Sequence, residues 1–269
     1  MRNAASNLLS SDPDATPRSA SGSQTLLRGL DVIEAVVDGP IPLAELAARL
    51  GLTRSTTHRL ATALIERRYL TFTPRLGYQS GSKLLELGFA AQRQTDIVQV
   101  ARPHLEQLAL ATEDTVHIGV RDDTRALYLD KIPGRRRVEI SSRVGDRQPL
   151  TATGLGKALL LDDGPDIWEA LVAADREGGA RPIDFALWQD RMRGYVAGGH
   201  AYDLEENEDL IRCVAAPVRD ASGRIVGAIS VSSAAQYMDN TRMAGLTDEV
   251  RGTAMAISRD LGWSGPKRR

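Results

Sequence analysis

A short polar segment near the start of the chain carries side chains suited to contacting DNA. Positions 54–59 read R-S-T-T-H-R, and five of these residues are candidates for hydrogen bonds to bases or phosphates: Arg54, Ser55, Thr57, His58 and Arg59. Arginine pairs with guanine and with phosphate alike, and hydroxyl groups donate to phosphate oxygens. A helix face of this composition is also compatible with simple exposure to solvent. Its position between a glycine-containing turn and a hairpin favours DNA contact.

A second segment, T-G-L-G-K-A at positions 153–158, has the composition of an anion-binding helix entry. It is not a nucleotide-binding P-loop, because Ala158 stands where Ser or Thr is needed for Mg²⁺ and Thr151 stands where the first glycine should be. What remains is a glycine-containing start of a helix with exposed backbone N–H groups. A capping loop without a ligand explains the same residues, so the local sequence leaves both interpretations open.

Two helices joined by a turn are predicted to present the first segment. One apolar stripe ends at Gly51, and a second helix begins behind Thr53, a natural N-cap. The predicted buried stripe of the second helix consists of Leu52, Thr56, Leu60 and Leu64. Two helices joined by a short turn containing glycine form a helix-turn-helix, whose second helix can enter the major groove of DNA.

A short β-hairpin is predicted directly behind this motif. Positions 69–73 alternate like a strand, positions 74–77 have turn composition, and positions 78–79 return. A hairpin in this place forms a wing. Arg75 lies at its tip, where it can contact phosphate or the minor groove, although a solvated arginine would occupy the same position.

Helical and strand patterns alternate through the remaining chain. Helices are predicted at 26–39, 83–91, 97–111, 153–161, 166–175, 183–196 and 240–261, and strands at 116–120, 126–131, 138–142, 211–218 and 225–231. Strands mixed with helices, and at least two hairpins, indicate an α+β domain built on an antiparallel sheet.

Composition and charge narrow the class of protein. With 269 residues, 42% of them apolar and 26% charged, the chain is long enough for two globular domains. The net charge is −1, but positions 49–83 hold seven basic residues against one acidic residue, a balance of +6. Positions 203–209 hold five carboxylates and no base. A basic module with an acidic remainder is the pattern expected of a specific DNA-binding protein.

Cysteine usage and hydropathy indicate the compartment. The one cysteine, Cys213, excludes an internal disulfide and a thiolate cluster for zinc. No signal peptide and no apolar run long enough to span a bilayer are evident in the sequence. We therefore expect a cytoplasmic protein without a membrane partner.

Five blocks, taken in order, resemble the IclR family of bacterial transcription regulators. They are S-T-T-H-R-L in the winged helix, A-L-Y-L-D-K, S-R-V-G-D-R-Q-P-L-T-A-T-G-L-G-K-A-L-L, E-E-N-E-D-L-I-R-C-V-A-A-P-V and G-A-I-S-V-S. The resemblance extends from about position 23 to position 263. Five separated blocks in the right order are far more specific than any single motif.

This resemblance implies an α+β fold in two functional halves. A winged helix-turn-helix would occupy 23–82, a linker helix 83–101, and a GAF-like effector-binding domain with an antiparallel sheet 102–263. Outside these, positions 1–22 are expected to be disordered, because they are rich in Ser and Ala without periodicity. Positions 264–269 are expected to form a basic tail.

The resemblance also implies ligands and partners. The backbone around Gly154 and Leu155 would receive the carboxylate of a small organic acid, and further pocket positions are matched by Asp203, Cys213, Ser230 and Ser232. Double-stranded operator DNA of palindromic or near-palindromic sequence and a second copy of the chain, or a tetramer, would be the partners. No catalytic residue, metal or cofactor is expected, and His104 and His117 are predicted to be structural.

Two other functions remain as alternatives. An enzyme would use Cys213 or Ser230 as nucleophile and His200 as base, although the sequence has no supporting G-x-S-x-G elbow. A protein-interaction adaptor would use the winged helix to bind protein. DNA binding differs from the adaptor function in its steep salt dependence.

Overall fold

The structure, a computed structural model, describes residues 23–137 and 140–265, which fall into two compact units, Met1–Gln94 and Thr95–Arg269. The helices of the described residues are α1 (Gln24–Ala35), α2 (Leu43–Arg49), α3 (Arg54–Glu66), α4 (Ser82–Gln94), α5 (Ile97–Thr112), α6 (Gly154–Leu159), α7 (Pro165–Glu177), α8 (Phe185–Gly198) and α9 (Asn240–Asp260). The strands are β1 (Leu70–Thr73), β2 (Gly77–Ser80), β3 (Thr115–Asp122), β4 (Arg125–Ile132), β5 (Arg147–Pro149), β6 (Ala201–Leu204), β7 (Ile211–Arg219) and β8 (Ile225–Ala234).

The first unit contains the predicted helix-turn-helix. The turn between α2 and α3 includes Gly51 at a φ of +63°, a left-handed conformation that glycine adopts without strain. Thr53 then caps α3, because its side-chain oxygen accepts a hydrogen bond from the Thr56 N–H at 3.2 Å. The apolar core beneath α1, α2 and α3 includes Val32, Val36, Ile41, Leu46, Leu60, Ala61, Leu70 and Tyr78. The local sequence signals therefore produce the helix-turn-helix that they predict.

The wing is also present, and its base is attached to the helices. Strands β1 and β2 pair antiparallel, and a bridge joins Tyr78 of β2 to Ile41, just before α2. Gly77 lies at a φ of +110°, and a Cβ there would overlap the carbonyl group of Ile41. Glycine at this position is thus required both by the backbone conformation and by the close approach of the loop before α2.

The second unit is built on one antiparallel sheet with the strand order β5-β4-β3-β8-β7-β6. Successive side chains of a strand point to opposite faces, so this sheet has two apolar faces. One face packs against α5 and α9 through Val116, Ile118, Val214, Val231, Leu105, Val250 and Ile257. The other is covered by α6, α7 and α8 through Tyr128, Ala215, Ala228, Leu155, Trp168 and Trp188. The predicted α+β class with an antiparallel sheet is confirmed.

Several predicted boundaries differ from the structure. The helix predicted at 26–39 ends at Ala35, and the linker helix predicted over 83–101 covers α4, which ends at Gln94, and the beginning of α5. The strand predicted at 138–142 is wrong for 140–142, which form no strand, while 138 and 139 lie outside the described residues. The strand that pairs with β4 is β5 instead. The predicted tail 1–22 and positions 266–269 of the basic tail also lie outside the described residues.

Strand β6 was not predicted, and it positions Asp203. It is four residues long and begins two residues behind Gly199, which ends α8 in the left-handed conformation at a φ of +65°. In the part of the chain that the structure describes, no helix is long and apolar enough to cross a membrane.

Candidate DNA interface and effector site

The exposed face of α3 carries four of the five predicted DNA-contacting residues of that helix. Arg54, Ser55, His58 and Arg59 are all exposed, and none of their side chains forms a hydrogen bond or ion pair with another described residue. Arg75 is exposed at the tip of the wing, with a φ of +71°. The guanidinium groups of this face are therefore free to pair with phosphates or base edges.

Thr57 does not belong to this face, so its prediction as a DNA-contacting residue is wrong. Its side chain is fully buried, and the hydroxyl donates to the carbonyl of Thr53 at 3.0 Å. The buried stripe of α3 includes Thr57, Leu60 and Ala61, whereas Thr56 is half-buried. The buried stripe predicted from the sequence pattern was displaced by one residue towards the N-terminus. The buried face of α3 is wide enough to include Thr57 and Ala61.

The second unit brings Asp203, Cys213 and Ser232 into one row across its sheet. Asp203 of β6 lies opposite Cys213 of β7, which lies opposite Ser232 of β8. The Sγ atom of Cys213 and the Oγ atom of Ser232 are 2.9 Å apart. Ser230 lies two residues before Ser232 and therefore faces the same side of the sheet. All four side chains are buried.

The beginning of α6 closes over this row. A Cβ placed on Gly154 would lie 3.1 Å from the Cβ of Cys213 and 3.2 Å from the backbone nitrogen of Asp203. Thr153 caps the helix by accepting from the Gly156 N–H at 3.0 Å. Among residues 23–137 and 140–265, no acceptor is bonded to the N–H groups of Gly154 and Leu155. All six residues predicted to line the effector pocket therefore lie together.

Buried polar groups hold the segment before α6 in place. The carboxylate of Asp175 accepts from the Thr151 N–H at 3.0 Å and from its hydroxyl at 2.7 Å, and it forms an ion pair with Arg125. The indole N–H of Trp188 donates to the Thr151 carbonyl at 2.8 Å. Because the backbone before α6 is held from two sides, the N–H groups of Gly154 and Leu155 are preorganised.

The carboxyl group of Asp203 is the main electrostatic feature of this site. Burial raises its pKa from 3.8 to about 6, and the nearby Lys157 ammonium opposes that rise. Lys157 is itself fully buried, and its ammonium donates to the Tyr202 carbonyl at 2.8 Å and pairs with Glu206. Asp203 also accepts from the Glu206 N–H at 2.8 Å. Although Asp203 belongs to an acidic segment of the sequence, its side chain is buried and is not a surface charge.

Cys213 is not arranged as a nucleophile. Burial raises the pKa of its thiol, which disfavours the reactive thiolate. Among the described residues, its side-chain hydrogen-bond partner is the hydroxyl group of Ser232, which is not a base. Groups of three or more His, Cys, Asp or Glu that could hold a metal ion are not found among the described residues.

Two residues that sequence reasoning did not place in the site lie on the same sheet face. His117 of β3 lies opposite Ser230, and its ring stacks on that of Tyr128 with centroids 5.1 Å apart. Tyr128 also packs in the apolar cluster that holds Leu155 of α6. The alternation of side chains in β3 already places His117 on the opposite face of the sheet from Val116 and Ile118. Only the pairing of β3 with β8 shows that His117 lies opposite Ser230. A narrow crevice adjoins the Ser232 end of the row and is lined also by Thr115, Ile140 and Arg136.

The fold and its exposed basic helix define a DNA-binding transcription regulator, and comparisons with known proteins assign its family. The family model for the IclR helix-turn-helix domain matches residues 25–74, and the model for the C-terminal part of bacterial IclR regulators matches residues 89–259. The chain belongs to the IclR family of transcriptional regulators.

Relatives and solved structures agree with this assignment. The DNA-binding transcriptional repressor YiaJ of Escherichia coli K12 is 32% identical over 91% of this chain and 90% of its own length. The regulator XynR of the same organism is 31% identical over 83% of this chain and 90% of its own. The crystal structure of Pseudomonas aeruginosa HmgR has a TM-score of 0.77 at 23% identity, covering 90% of this chain and 99% of that one. YiaJ and XynR are named regulators rather than enzymes, so the enzyme alternative is set aside.

Proposed function

We propose that a small organic carboxylate binds in the second unit and modulates operator binding by the first. The observation that carries this proposal is the buried row of Asp203, Cys213 and Ser232 beneath two unbonded N–H groups at the start of α6. The N–H groups of Gly154 and Leu155 would receive the carboxylate, and Ser230, Ser232 and Cys213 would orient the rest. Peptide N–H groups suit an anion, and buried hydroxyl groups suit polar substituents on it.

A bound relative supports this class of ligand. An IclR homolog from Microbacterium hydrocarbonoxydans, with a TM-score of 0.53 to this chain, has been crystallised in complex with 4-hydroxybenzoate. Its 22% identity to this chain supports a shared fold. A small carboxylic acid is thus a ligand that a regulator of this fold can hold, and we propose the same class here.

Operator recognition would use Arg54, Ser55, His58, Arg59 and Arg75, with Thr57 left out. We propose that the chain acts as a homodimer, or as a tetramer formed by two such dimers, with domains at 23–82, 83–101 and 102–263. The exposed apolar side chains of α1 and α4 support self-association through this half: Leu26, Leu27, Leu30, Leu85, Leu87 and Phe89. Two recognition helices about 34 Å apart would match palindromic half-sites separated by one helical turn. We propose that such a regulator acts in the cytoplasm. Because the relative YiaJ is a repressor, we also propose that this chain represses transcription.

A thermal-shift screen of small organic acids, followed by DNA titrations, tests this proposal. A ligand that binds only the folded protein raises its melting temperature by mass action. Operator sequences would first be selected from a random duplex library, and each stabilising acid would then be added to a fluorescence-anisotropy titration. If a stabilising acid left operator affinity unchanged, the proposed coupling would be absent. If the selected duplex bound without salt dependence, an adaptor function would be favoured instead.

Replacing Arg75 by Ala should weaken DNA binding without changing the preferred sequence. A tip arginine that contacts phosphate contributes to affinity through counterion release, so its loss lowers the slope of log K against log salt by about 1 per protomer. Titrations of selected and scrambled duplexes measure both the affinity and its salt dependence. They are run between about 50 and 200 mM salt, roughly the range over which counterion release changes the affinity strongly. An unchanged slope would show that Arg75 does not contact phosphate.

The effector affinity should rise as the pH falls, because of Asp203. Its pKa of about 6 means that the carboxyl group is largely ionised at pH 7.5, where it repels a bound carboxylate. Binding then takes up a proton, so affinity should increase by about tenfold from pH 7.5 to 5.5 and level off below. Asp203→Asn keeps the acceptor for the Glu206 N–H and should bind independently of pH in calorimetric titrations. Equal pH profiles for the two proteins would exclude Asp203 as the titrating group.

A further inference from the structure

His117 is a buried histidine with one ring nitrogen unused. Its side chain is 1% exposed, and its Nε2 atom lies 2.8 Å from the hydroxyl oxygen of Ser142. Its Nδ1 atom is buried and has no hydrogen-bond partner in the described residues. An imidazole nitrogen without a partner is unfavourable away from water, so the empty position on Nδ1 indicates a missing partner.

The ring lies on the effector face of the sheet. His117 is opposite Ser230 in the β3–β8 pairing, and Ser230 and Ser232 share that face. The Tyr128 ring, 5.1 Å from the His117 ring between centroids, belongs to the apolar cluster that also holds Leu155 at the start of α6. His117 and the start of α6 therefore lie beside the same aromatic ring, on the face of the sheet where we propose that the effector binds.

The imidazole is neutral under ordinary conditions. Burial, with a contribution from the Lys131 ammonium, lowers the pKa of His117 from 6.5 to about 3. Lys131 is itself occupied, because its ammonium donates to the carbonyls of Ile140 and Ser142 at 2.7 Å each. His117 therefore cannot form an ion pair with a carboxylate group of the effector. Its Nδ1 atom needs a neutral polar partner.

A hydroxyl group is a small, neutral substituent that satisfies either form of this ring. When Nε2 carries the proton it donates to Ser142, and Nδ1 accepts; in the other tautomer Ser142 donates, and Nδ1 carries the proton. A hydroxyl group can both donate and accept, whereas a carbonyl oxygen can only accept. We propose that the effector is a hydroxy acid, and that His117 determines specificity by hydrogen-bonding its hydroxyl group. This inference rests on the proposed effector site and names the class of acid.

Calorimetric titration of the full-length protein with matched acids tests the inference. The probes differ by hydroxyl groups alone: benzoate against 3- and 4-hydroxybenzoate, propionate against lactate and glycerate, and hexanoate against gluconate. We expect at least one hydroxylated acid to bind about tenfold or more tightly than its partner, since a site built for a hydroxyl group rejects analogues without it. His117→Phe should reduce that ratio to about 1 without weakening the unhydroxylated acid, because the ring that lines the site is retained.

Two further variants separate recognition from structural support. His117→Gln retains a donor and an acceptor and should keep part of the preference. His104→Phe should keep all of it, because His104 is a half-buried residue of α5 that pairs with Asp260. Should phenylalanine prevent folding, His117→Leu gives the same comparison with a smaller side chain. A preference that persists in both apolar variants would overturn the inference, as would equal affinities within every pair for the unmodified protein. If no acid in the panel bound at all, the effector site itself would be refuted, and this assignment with it.

Discussion

Replacing Arg59 by Ala should abolish most of the specific DNA binding while leaving the fold intact. Arg59 is exposed on α3, and its guanidinium group forms no hydrogen bond or ion pair with another described residue. A bidentate contact between arginine and guanine contributes about 1–3 kcal/mol of discrimination. A dimer uses this residue twice, so we expect a loss of about 2–6 kcal/mol, or roughly 30-fold at the least. Anisotropy titrations against selected and scrambled duplexes measure the loss.

A charge-matched control distinguishes base reading from general electrostatics. Arg176→Ala removes the same charge from an exposed position of α7, in the other unit of the chain. It should leave operator affinity nearly unchanged at the same salt concentration. If the two variants bound the operator equally well, Arg59 would not be one of the residues that contact bases. A loss that was the same for selected and scrambled duplexes would instead assign Arg59 to phosphate contact.

Replacing Gly154 by Ala should abolish the response to the effector but preserve operator binding. The new Cβ would lie 3.1 Å from the Cβ of Cys213 and 3.2 Å from the Asp203 nitrogen, so the start of α6 must shift away from the row and displace the N–H groups proposed to receive the carboxylate. Loss of two charge-assisted hydrogen bonds, each contributing about 1.5–3 kcal/mol, weakens binding by roughly 100-fold or more. Calorimetry measures the affinity, and anisotropy shows whether the acid still changes operator binding.

Gly164 offers a matched control for this substitution. It lies at the N-terminus of α7, where a Cβ would meet nothing within 4 Å. Gly164→Ala should therefore bind the acid and the operator like the unmodified protein. The melting temperature of Gly154→Ala without ligand reports any cost of the tighter packing against Cys213. Retained affinity for the acid in Gly154→Ala would place the carboxylate elsewhere in the unit.

Both predictions concern one equilibrium. The effector changes operator affinity only by the difference between its affinities for the DNA-competent and DNA-incompetent arrangements. Reciprocity then requires that operator DNA change the effector affinity by the same factor. An acid that bound equally well with and without operator could not be the regulatory ligand.

The first unit was largely determined by its own sequence. Gly51 permits the turn and Thr53 caps α3, and both of these signals act within a few residues of the chain. Such local signals can be read without knowledge of the fold. What the pattern missed was the width of the buried face of α3, which includes Thr57 because α1 and α2 together cover it.

The effector site was decided by tertiary structure, although resemblance to the family indicated its members. Asp203, Cys213 and Ser232 meet through the pairing of three successive strands, and no local pattern specifies that register. Asp203 is followed closely by Glu205 and Glu206, so the sequence alone could not distinguish a buried carboxylate from a surface charge. His117 likewise became part of the site only through its pairing with Ser230. Side-chain alternation is local, whereas the partner that each side chain faces depends on the whole sheet.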